Sequence, residues 1–327
     1  MRLNLKSNKV LVLYLMKIEP LDLKALLFLC YNEPKKPTFL EQRIIMQEIF
    51  LCSISNVRSG DCKEDCAYCT QSSHHQGAIK RYKFKDEKVV LQEARALREL
   101  GALGFCLVTS GRELNDEKCE YIAKLAKAIN QEELGLHLIA CCGRADLDQL
   151  EFLRDAGIHS YNHNLETSQN FFPKICSTHT WEERFITCEN ALRAGLGLCS
   201  GGIFGLNESW EDRIEMLRAL ASLSPHTMPI NFFIKNPVLP VDAETLSADE
   251  ALECVLLAKE FLPNARLMVA GGREVVFKDN DKQEAKLFEY GINAVVLGDY
   301  LTTKGKAPKK DIEKLLSYGL KMATSCH

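Results

Sequence analysis

The chain has 327 residues, of which 46% are hydrophobic and 26% charged, a composition typical of a globular protein with one large domain or two smaller ones. Its formal net charge of −3 and pI of about 6.3 do not favour a nucleic-acid partner. The 14 cysteines are scattered along a long chain without a clean secretion signal, so we expect reduced, metal-binding thiols in a cytoplasmic protein.

Residues 1–45 differ from the remainder because basic residues outnumber acidic ones. The apolar run from Val10 to Met16 is too short to span a membrane, and no small-residue cleavage site of a signal peptide follows it. We therefore expect an N-terminal extension that takes no part in catalysis, a catalytic domain over residues 46–327, and no membrane association.

After Met46, apolar runs alternate with amphipathic runs, a pattern that predicts strands alternating with helices. The predicted strands are 49–54, 104–109, 134–142, 160–165, 197–200, 229–234, 266–270 and 294–297. The predicted helices are 86–100, 115–129, 147–155, 181–194, 209–223, 248–261, 281–290 and 309–318. Such units imply a parallel sheet, and eight of them predict an α/β fold of the (β/α)8 TIM-barrel type in a single domain. An open doubly wound sheet is the alternative, but no Gly-x-Gly-x-x-Gly motif follows a predicted strand.

Three cysteines with C-x3-C-x2-C spacing, Cys62, Cys66 and Cys69, follow the first predicted strand. Thiolates this close together can bind one soft metal centre, either zinc or an Fe–S cluster. A cube of four irons held by three cysteines leaves one iron open to a substrate or cofactor. A structural zinc site needs four protein ligands, and His74 or His75 is the candidate for the fourth.

Further cysteines lie toward the carboxyl ends of predicted strands, where (β/α)8 barrels carry their active sites. They are Cys106, Cys141, Cys142 and Cys199. A free cysteine is often only a small buried hydrophobe, so a second sulfur-rich site at this end of the barrel stays open at this point. The other cysteines are interpreted as core or surface thiols: Cys30, Cys52, Cys119, Cys176, Cys188 and Cys254.

Five stretches occur in a characteristic order from about residue 47 to the C-terminus. They are GDCKEDCAYCTQSS at 60–73, YNHNLET at 161–167, CSGGIFG at 199–205, PIN at 229–231 and AGGRE at 270–274. Together they resemble the biotin synthase family of radical S-adenosylmethionine (SAM) enzymes. The resemblance implies a [4Fe-4S] cluster on the C-x3-C-x2-C cysteines, with SAM chelated by the open iron and Tyr68 beside the adenine.

The resemblance also implies an activity, that of a sulfurtransferase acting on dethiobiotin. A reduced cluster cleaves SAM to methionine and a 5′-deoxyadenosyl radical, which removes hydrogen from an unactivated carbon of dethiobiotin. An auxiliary cluster donates sulfur, and a second SAM closes the ring of biotin. No side chain is expected to act as a catalytic acid or base. The implied partners are dethiobiotin, an electron donor such as flavodoxin or ferredoxin, and a second copy of the chain in a homodimer.

The auxiliary site is implied to be a [2Fe-2S] or other Fe–S cluster, held in the family by three strand cysteines and an arginine. Cys106 and Cys199 match two of those cysteines. An alignment without gaps puts Ile139 at the third cysteine, but Cys141 lies two residues further on the same strand face, and we interpret Cys141 as the ligand.

The arginine position shows the same displacement, since Met268 occupies it and Arg266 lies two residues earlier. The roles of Arg266 and of Cys142 are left open. The C-terminal residues Ser325-Cys326-His327 could fold over the mouth of the barrel and supply a ligand. We interpret the thiol of Cys326 instead as part of a disordered tail.

Polar residues at two strand ends are implied to hold the cofactor and the substrate. The cofactor-binding candidates are Tyr68, Asn164 and Glu166, and the substrate-binding candidates are Asn162 and Asn231. His163 also matches the family, with a structural and a functional role equally open, and Arg112 and Arg144 are weaker candidates for binding a carboxylate.

Two other functions remain as alternatives. One is a related radical SAM barrel such as a cofactor maturase, which the departures at Ile139 and Met268 keep open. The other is a zinc protein without enzyme activity. Metal analysis separates the radical SAM functions from the zinc protein: the first contain iron with acid-labile sulfide, and the second contains zinc without sulfide.

Overall fold

The computed structural model describes residues 47–75, 77–301 and 305–326, so the expectations for residues 1–45, with the thiol of Cys30, lie outside the described residues. The strands of the described part form one sheet in which each pairing is parallel, and β1 pairs with both β2 and β9. The strands are β1 Glu48–Arg58, β2 Gly104–Thr109, β3 His137–Cys141, β4 Ser160–Asn162, β5 Gly197–Cys199, β6 Gly202–Phe204, β7 Thr227–Phe232, β8 Arg266–Val269, β9 Ile292–Leu297 and β10 Lys321–Met322.

The sheet closes into a barrel with eight parallel strand positions, here called staves, which confirms the predicted fold. The fifth stave is interrupted, because β5 and β6 both pair with β7 on either side of a break at Ser200 and Gly201. A Cβ on Gly201 would lie 1.9 Å from the carbonyl oxygen of Pro229, so only glycine allows these two backbones to approach. The break explains why the predicted fifth strand ends early and β6 was not predicted.

Helices follow the strands and cover the outside of the barrel. They are α1 Glu87–Glu99, α2 Asp116–Gln131, α3 Leu147–Asp155, α4 Trp181–Arg193, α5 Trp210–Leu223, α6 Ala248–Phe261, α7 Arg273–Val276, α8 Asp281–Glu289 and α9 Pro308–Ser317. Local sequence determines where several of them begin, since Asp146, Thr180 and Ser209 each form a reciprocal capping box. Among the described residues, no helix has the length and apolar character needed to cross a bilayer.

The parity of each strand divides its side chains between two cores. Phe105, Leu107 and Cys142 belong to the outer core between strands and helices. Cys106 belongs with Cys199 to the inner core that fills the barrel, and the partly buried Cys141 packs against it. The inner core is small and rich in sulfur, whereas the larger outer core is mainly aliphatic and aromatic.

Several boundaries differ from the predictions: β1 runs to Arg58 beyond the predicted 49–54, and β4 ends at Asn162 rather than at the predicted residue 165. Two further differences have a clear physical reason. The third strand was predicted at 134–142 but spans His137–Cys141, because Gly135 adopts a positive φ of 66° and interrupts extended backbone. The sixth was predicted at 229–234 but spans Thr227–Phe232, since β7 continues through Pro229 rather than beginning there. The short strand β10, which pairs with β1, was not predicted.

Candidate functional site

The cysteine loop follows β1 at the carboxyl ends of the strands, and its backbone is folded back on itself. The Cys62 N–H donates to the Gln71 carbonyl at 3.2 Å, and the Ser73 N–H donates to the Cys62 carbonyl at 2.7 Å. The Cys69 N–H donates to the Cys66 carbonyl at 3.0 Å, which closes a tight turn between the second and third cysteines. The loop is therefore held by its own hydrogen bonds.

A second segment, between β4 and α4, holds the loop from outside. The Ala67 N–H donates to the Ile175 carbonyl at 2.8 Å, and the Asp65 carboxylate accepts from the Ser177 N–H at 2.9 Å. Burial opposes ionisation of Asp65, but the hydrogen bonds from Ser177, Cys176 and Thr178 prevail and lower its pKa. A charged Asp65 thus fixes the loop against the barrel.

The three loop thiols lie on one short loop, but in the described residues their sulfurs do not all come within 4.8 Å of one another. Cys66 is buried, and Cys62 and Cys69 are partly buried. Burial raises the pKa of Cys69 to about 11 and that of Cys62 above its ordinary value, so a metal that binds there displaces protons. The imidazoles of His74 and His75 instead contact the carbonyls of Lys63 at 3.0 Å and Cys66 at 3.1 Å, an arrangement that does not favour them as zinc ligands.

Polar side chains from the end of β4 converge on this loop. Glu166 has φ 70°, a left-handed conformation that is uncommon for a non-glycine residue and often found at functional sites. Its carboxylate accepts a hydrogen bond from Tyr68 and lies 3.5 Å from the Asn164 amide. The side-chain oxygen Oδ1 of Asn164 accepts from the Gly201 N–H at 3.2 Å. The three predicted cofactor-binding residues are therefore brought together.

Arg184 on α4 completes this polar cluster, and the sequence analysis missed it. It donates to Glu166 at 3.0 Å and to the Asn164 carbonyl at 2.6 Å. Burial raises the pKa of Glu166, and the guanidinium opposes that shift. The capping box at Thr180 was a usable signal, since it fixes the start of α4 and so places Arg184 in the first turns, beside the end of β4.

The arginines suggested by the sequence are already paired elsewhere. Arg112 and Arg144 contact Glu183 at 2.8 and 2.9 Å. The imidazole of His163 is buried in the described structure without a hydrogen-bond partner at Nε2, and burial lowers its pKa well below the ordinary value. Burial therefore keeps this imidazole neutral, and the choice between a structural and a functional role for His163 stays open.

The predicted substrate-binding asparagines line the barrel interior. The Asn162 amide lies 3.4 Å from the Cys199 sulfur, and the Asn231 amide donates to the Gly202 carbonyl at 3.2 Å. Asn162 thus connects the polar mouth to the sulfur-rich interior.

The strand register determines which interior residues lie in one row, that is, which residues are paired with one another across successive strands. Asn162 pairs with Cys199, and Cys141 continues the β3–β4 register beside Asn162. Ile139, in contrast, pairs with Cys106 and Ser160, one inward-facing step further from the mouth. Burial raises the pKa of Cys106 well above its ordinary value, and Cys141 and Cys199 are among the neighbours that add to this shift. The three predicted auxiliary thiols therefore share the barrel interior, with Cys106 one inward-facing step further from the mouth than Cys141 and Cys199.

The same row continues to Arg266 rather than to Met268. Cys199 pairs with Thr227, and Thr227 pairs with Arg266, whereas Met268 pairs with Pro229. The guanidinium carbon of Arg266 lies 4.1 Å over the ring of Phe50. Burial raises the pKa of Cys199 well above its ordinary value, and the positive charge of Arg266 only partly opposes that shift. Arg266 therefore lies within electrostatic reach of Cys199, from the amino end of β8.

The interpretation of Cys326 as a disordered thiol is wrong. Its carbonyl accepts a hydrogen bond from Arg266 at 3.0 Å, and its sulfur lies 3.9 Å from the Leu103 carbonyl. Both contacts are at the amino ends of β8 and β2, because the short strand β10 carries the tail to that end of the barrel. Cys326 therefore packs opposite the mouth.

Residues 56–220 match the radical SAM superfamily, and residues 229–321 match the Biotin and Thiamin Synthesis associated domain. A curated biotin synthase of Helicobacter pylori (strain HPAG1) is 98% identical over 282 residues, which cover 86% of this chain and 100% of that protein. A biotin synthase of Helicobacter hepaticus is 65% identical over 283 residues, 86% of this chain and 99% of that protein. The chain belongs to the biotin synthase family.

Solved structures support the same fold. Methylornithine synthase (PylB) superposes with a TM-score of 0.70 at 17% identity and covers 84% of each chain. The [FeFe]-hydrogenase maturase HydG also gives 0.70 at 17% identity, over 85% of this chain and 65% of that one. Identities this low show the fold alone. Membership of the biotin synthase family rests on the sequence relatives, and it disfavours both the maturase and the zinc-protein alternatives.

Proposed function

We propose that this chain inserts sulfur into dethiobiotin to form biotin, with two SAM molecules consumed for each biotin. The observation that carries the proposal is the presence of two separate thiol sets in one barrel. One is the loop of Cys62, Cys66 and Cys69 at the mouth, and the other is the interior set of Cys106, Cys141 and Cys199. A radical initiator and a sulfur donor need separate sites within reach of one substrate.

The mouth residues would hold the first cluster and SAM. A [4Fe-4S] cluster on the loop cysteines supplies, when reduced, the electron that cleaves SAM. The buried guanidinium of Arg184 is suited to the carboxylate of the methionine moiety, because a planar guanidinium binds carboxylates through paired hydrogen bonds. Asn164 and Glu166 would contact the ribose, and Tyr68 would lie against the adenine.

The interior residues would hold the auxiliary cluster. Cys106, Cys141 and Cys199 form a soft donor set that suits iron and sulfide, and Arg266 would be the fourth ligand. We assign Cys141 over Ile139 because a thiol binds metal and an aliphatic side chain does not. We assign Arg266 over Met268 because Arg266 lies in the row of Cys199. Cys106 lies one inward-facing step deeper, in the row of Ile139. A [2Fe-2S] cluster at this position supplies the sulfur atom.

The asparagines between the two thiol sets would orient dethiobiotin. Asn162 lies on the row of Cys199, and Asn231 lies on β7 next to the break in the fifth stave. Their amides can donate to and accept from a cyclic urea. The closed barrel would exclude water while a radical is present.

The remaining assignments complete the proposal. Residues 46–327 form the catalytic domain, since each residue assigned above lies in them, and residues 1–45 are a non-catalytic extension. The enzyme works in the cytoplasm as a homodimer, with flavodoxin or ferredoxin as the electron donor.

Activity of the full-length chain tests the proposal. The chain is purified without oxygen, loaded with iron and sulfide, and incubated with reductant, SAM and dethiobiotin. We expect biotin, together with about two 5′-deoxyadenosine molecules per biotin, and no biotin when dethiobiotin is left out. Formation of 5′-deoxyadenosine without biotin in loaded enzyme would contradict the assigned substrate.

A further inference from the structure

Two side chains outside the proposed cluster sites lie against the cysteine loop. Cys176 and His179 belong to the segment between β4 and α4, and the Cys176 sulfur lies 3.7 Å from the Cys66 sulfur. Nδ1 of His179 lies 3.2 Å from the Cys176 sulfur. In the part of the chain that the structure describes, Cys66, Cys176 and His179 are the one group of three metal-binding donors within 4.8 Å of one another.

These distances match the ligand geometry of a single tetrahedral ion. Zn–S bonds of about 2.3 Å at the tetrahedral angle put two sulfur ligands roughly 3.8 Å apart, and a Zn–N bond of about 2.0 Å puts sulfur and nitrogen roughly 3.5 Å apart. The observed Cys66–Cys176 separation of 3.7 Å and the Cys176–His179 separation of 3.2 Å agree with these values. The side chains need little movement to bind one cation.

Glu64 provides a fourth donor next to this group. Its Oε2 lies 2.6 Å from Nδ1 of His179 and accepts a hydrogen bond from Thr178 at 2.8 Å. Glu64 and His179 are nearly buried, with 8% and 9% of their side chains exposed. The carboxylate has to rotate away from Nδ1 for Glu64 and His179 to bind the same cation, and the resulting donors, two thiolates, an imidazole and a carboxylate, are ligand types of protein zinc sites.

Binding of a cation at Nδ1 requires the imidazole to change its proton, at the cost of one hydrogen bond. Nε2 of His179 lies 3.1 Å from Arg184, which donates to it. A cation on Nδ1 moves the ring proton to Nε2, and Arg184 then loses that bond but keeps its bonds to the Asn164 carbonyl and Glu166. An open cavity of about 550 Å³, lined in part by Asp65, Cys176 and Ser177, gives a cation access from solvent.

We propose that Cys66, Cys176 and His179, with Glu64, form a site for a thiophilic divalent cation of the zinc type. Binding there excludes the [4Fe-4S] cluster, because Cys66 cannot be a ligand of both. The proposal depends on the proposed function only through this shared cysteine. The cation site therefore sets which metal the cysteine loop carries, zinc or iron.

Cobalt, as a spectroscopic probe for a zinc site, tests this on the full chain. The cluster is removed anaerobically by chelation, and Co²⁺ is titrated into the cluster-free and cluster-loaded forms. We expect one equivalent of tetrahedral Co²⁺ with thiolate charge-transfer bands in the cluster-free form and none in the loaded form. Zinc X-ray absorption should then show two sulfur and two nitrogen or oxygen neighbours.

Matched variants separate this site from the C-x3-C-x2-C run. Cys176→Ala and His179→Gln should weaken Co²⁺ binding by more than about 100-fold, beyond the range for loss of an outer-shell partner. Cys62→Ala and Cys69→Ala should bind Co²⁺ as the wild type does. The reverse pattern, or three sulfur neighbours around zinc, overturns the proposal.

Iron loading of the same variants shows whether a negative result counts against the cation site or against the proposed function. Cys176→Ala should still assemble the [4Fe-4S] cluster and cleave SAM, which also shows that the variant folds. Unchanged Co²⁺ binding in a Cys176→Ala protein that loads iron normally refutes the cation site alone.

Discussion

The two thiol sets of this protein are built in opposite ways. The loop cysteines, Cys62 to Cys69, are neighbours along the chain, and hydrogen bonds within the loop and to the β4–α4 segment hold them. The interior cysteines are carried by β2, β3 and β5, and only the sheet register brings them together. A loop can adjust to the metal it receives, whereas residues on paired strands cannot move without breaking the ladder.

Position in the strand matters more for the interior set than residue type does. Cys141 and Cys142 are adjacent thiols, yet the first packs against the interior core and the second belongs to the outer core. A one-residue shift on a strand reverses the direction of a side chain, while a one-residue shift in a loop is absorbed by its turns. Interior ligands are therefore readily misassigned by sequence alignment.

The largest expected effect is at the loop. Cys62→Ala removes a ligand of the proposed [4Fe-4S] cluster, so formation of both 5′-deoxyadenosine and biotin should fall by more than the ~100-fold that loss of an outer-shell partner costs. Iron and sulfide analysis with product assays by chromatography measures this. Cys119→Ala, a buried cysteine of α2, is the control and should retain both activities. Cleavage of SAM by Cys62→Ala at the wild-type rate would remove the basis for a loop cluster.

A narrower effect is expected in the interior. Cys141→Ala should lower biotin formation by more than about 100-fold while SAM cleavage persists, because only the auxiliary cluster loses a direct ligand. The outward-facing neighbour gives a matched control, since Cys142→Ala should leave the cluster spectrum intact. Mössbauer spectra before and after the change show which iron component disappears. If both components survive in Cys141→Ala, Ile139 and Cys141 have to be reassessed as ligand positions.

The smallest expected effect is on stability rather than on activity, and it compares a glycine of the barrel with a glycine of the cysteine loop. A Cβ on Gly201 would meet a backbone oxygen of the adjacent stave at 1.9 Å, so Gly201→Ala should cost about 3 kcal/mol. A Cβ on Gly60, in the loop, would meet only the side chain of Arg81 at 2.8 Å, and its φ of +80° should cost about 1 kcal/mol.

Thermal unfolding of the two glycine variants measures this difference. At roughly 2–4 °C for each kcal/mol in a domain of this size class, the midpoint should fall further for Gly201→Ala than for Gly60→Ala. Equal midpoints would show that the barrel tolerates local change as readily as the loop does.

Much of the site could be predicted from the sequence where neighbouring residues carry the signal. The strand–helix alternation predicted the barrel, and the loop spacing predicted the three mouth thiols as a metal-binding set. The polar run of β4 predicted Asn164 and Glu166, which contact each other and Tyr68. Arg184, Cys176 and His179 were missed or taken as ordinary residues, because their partners are distant in the sequence.

The sequence alone determined what depends on local spacing, namely the fold class, the cysteine loop and the family. Only the tertiary structure decided the rest, such as the row shared by Cys141, Cys199 and Arg266 and the approach of Cys176 to Cys66. The physical reason is that covalent geometry sets distances between near neighbours, whereas strand register and helix packing set those between residues far apart in the chain.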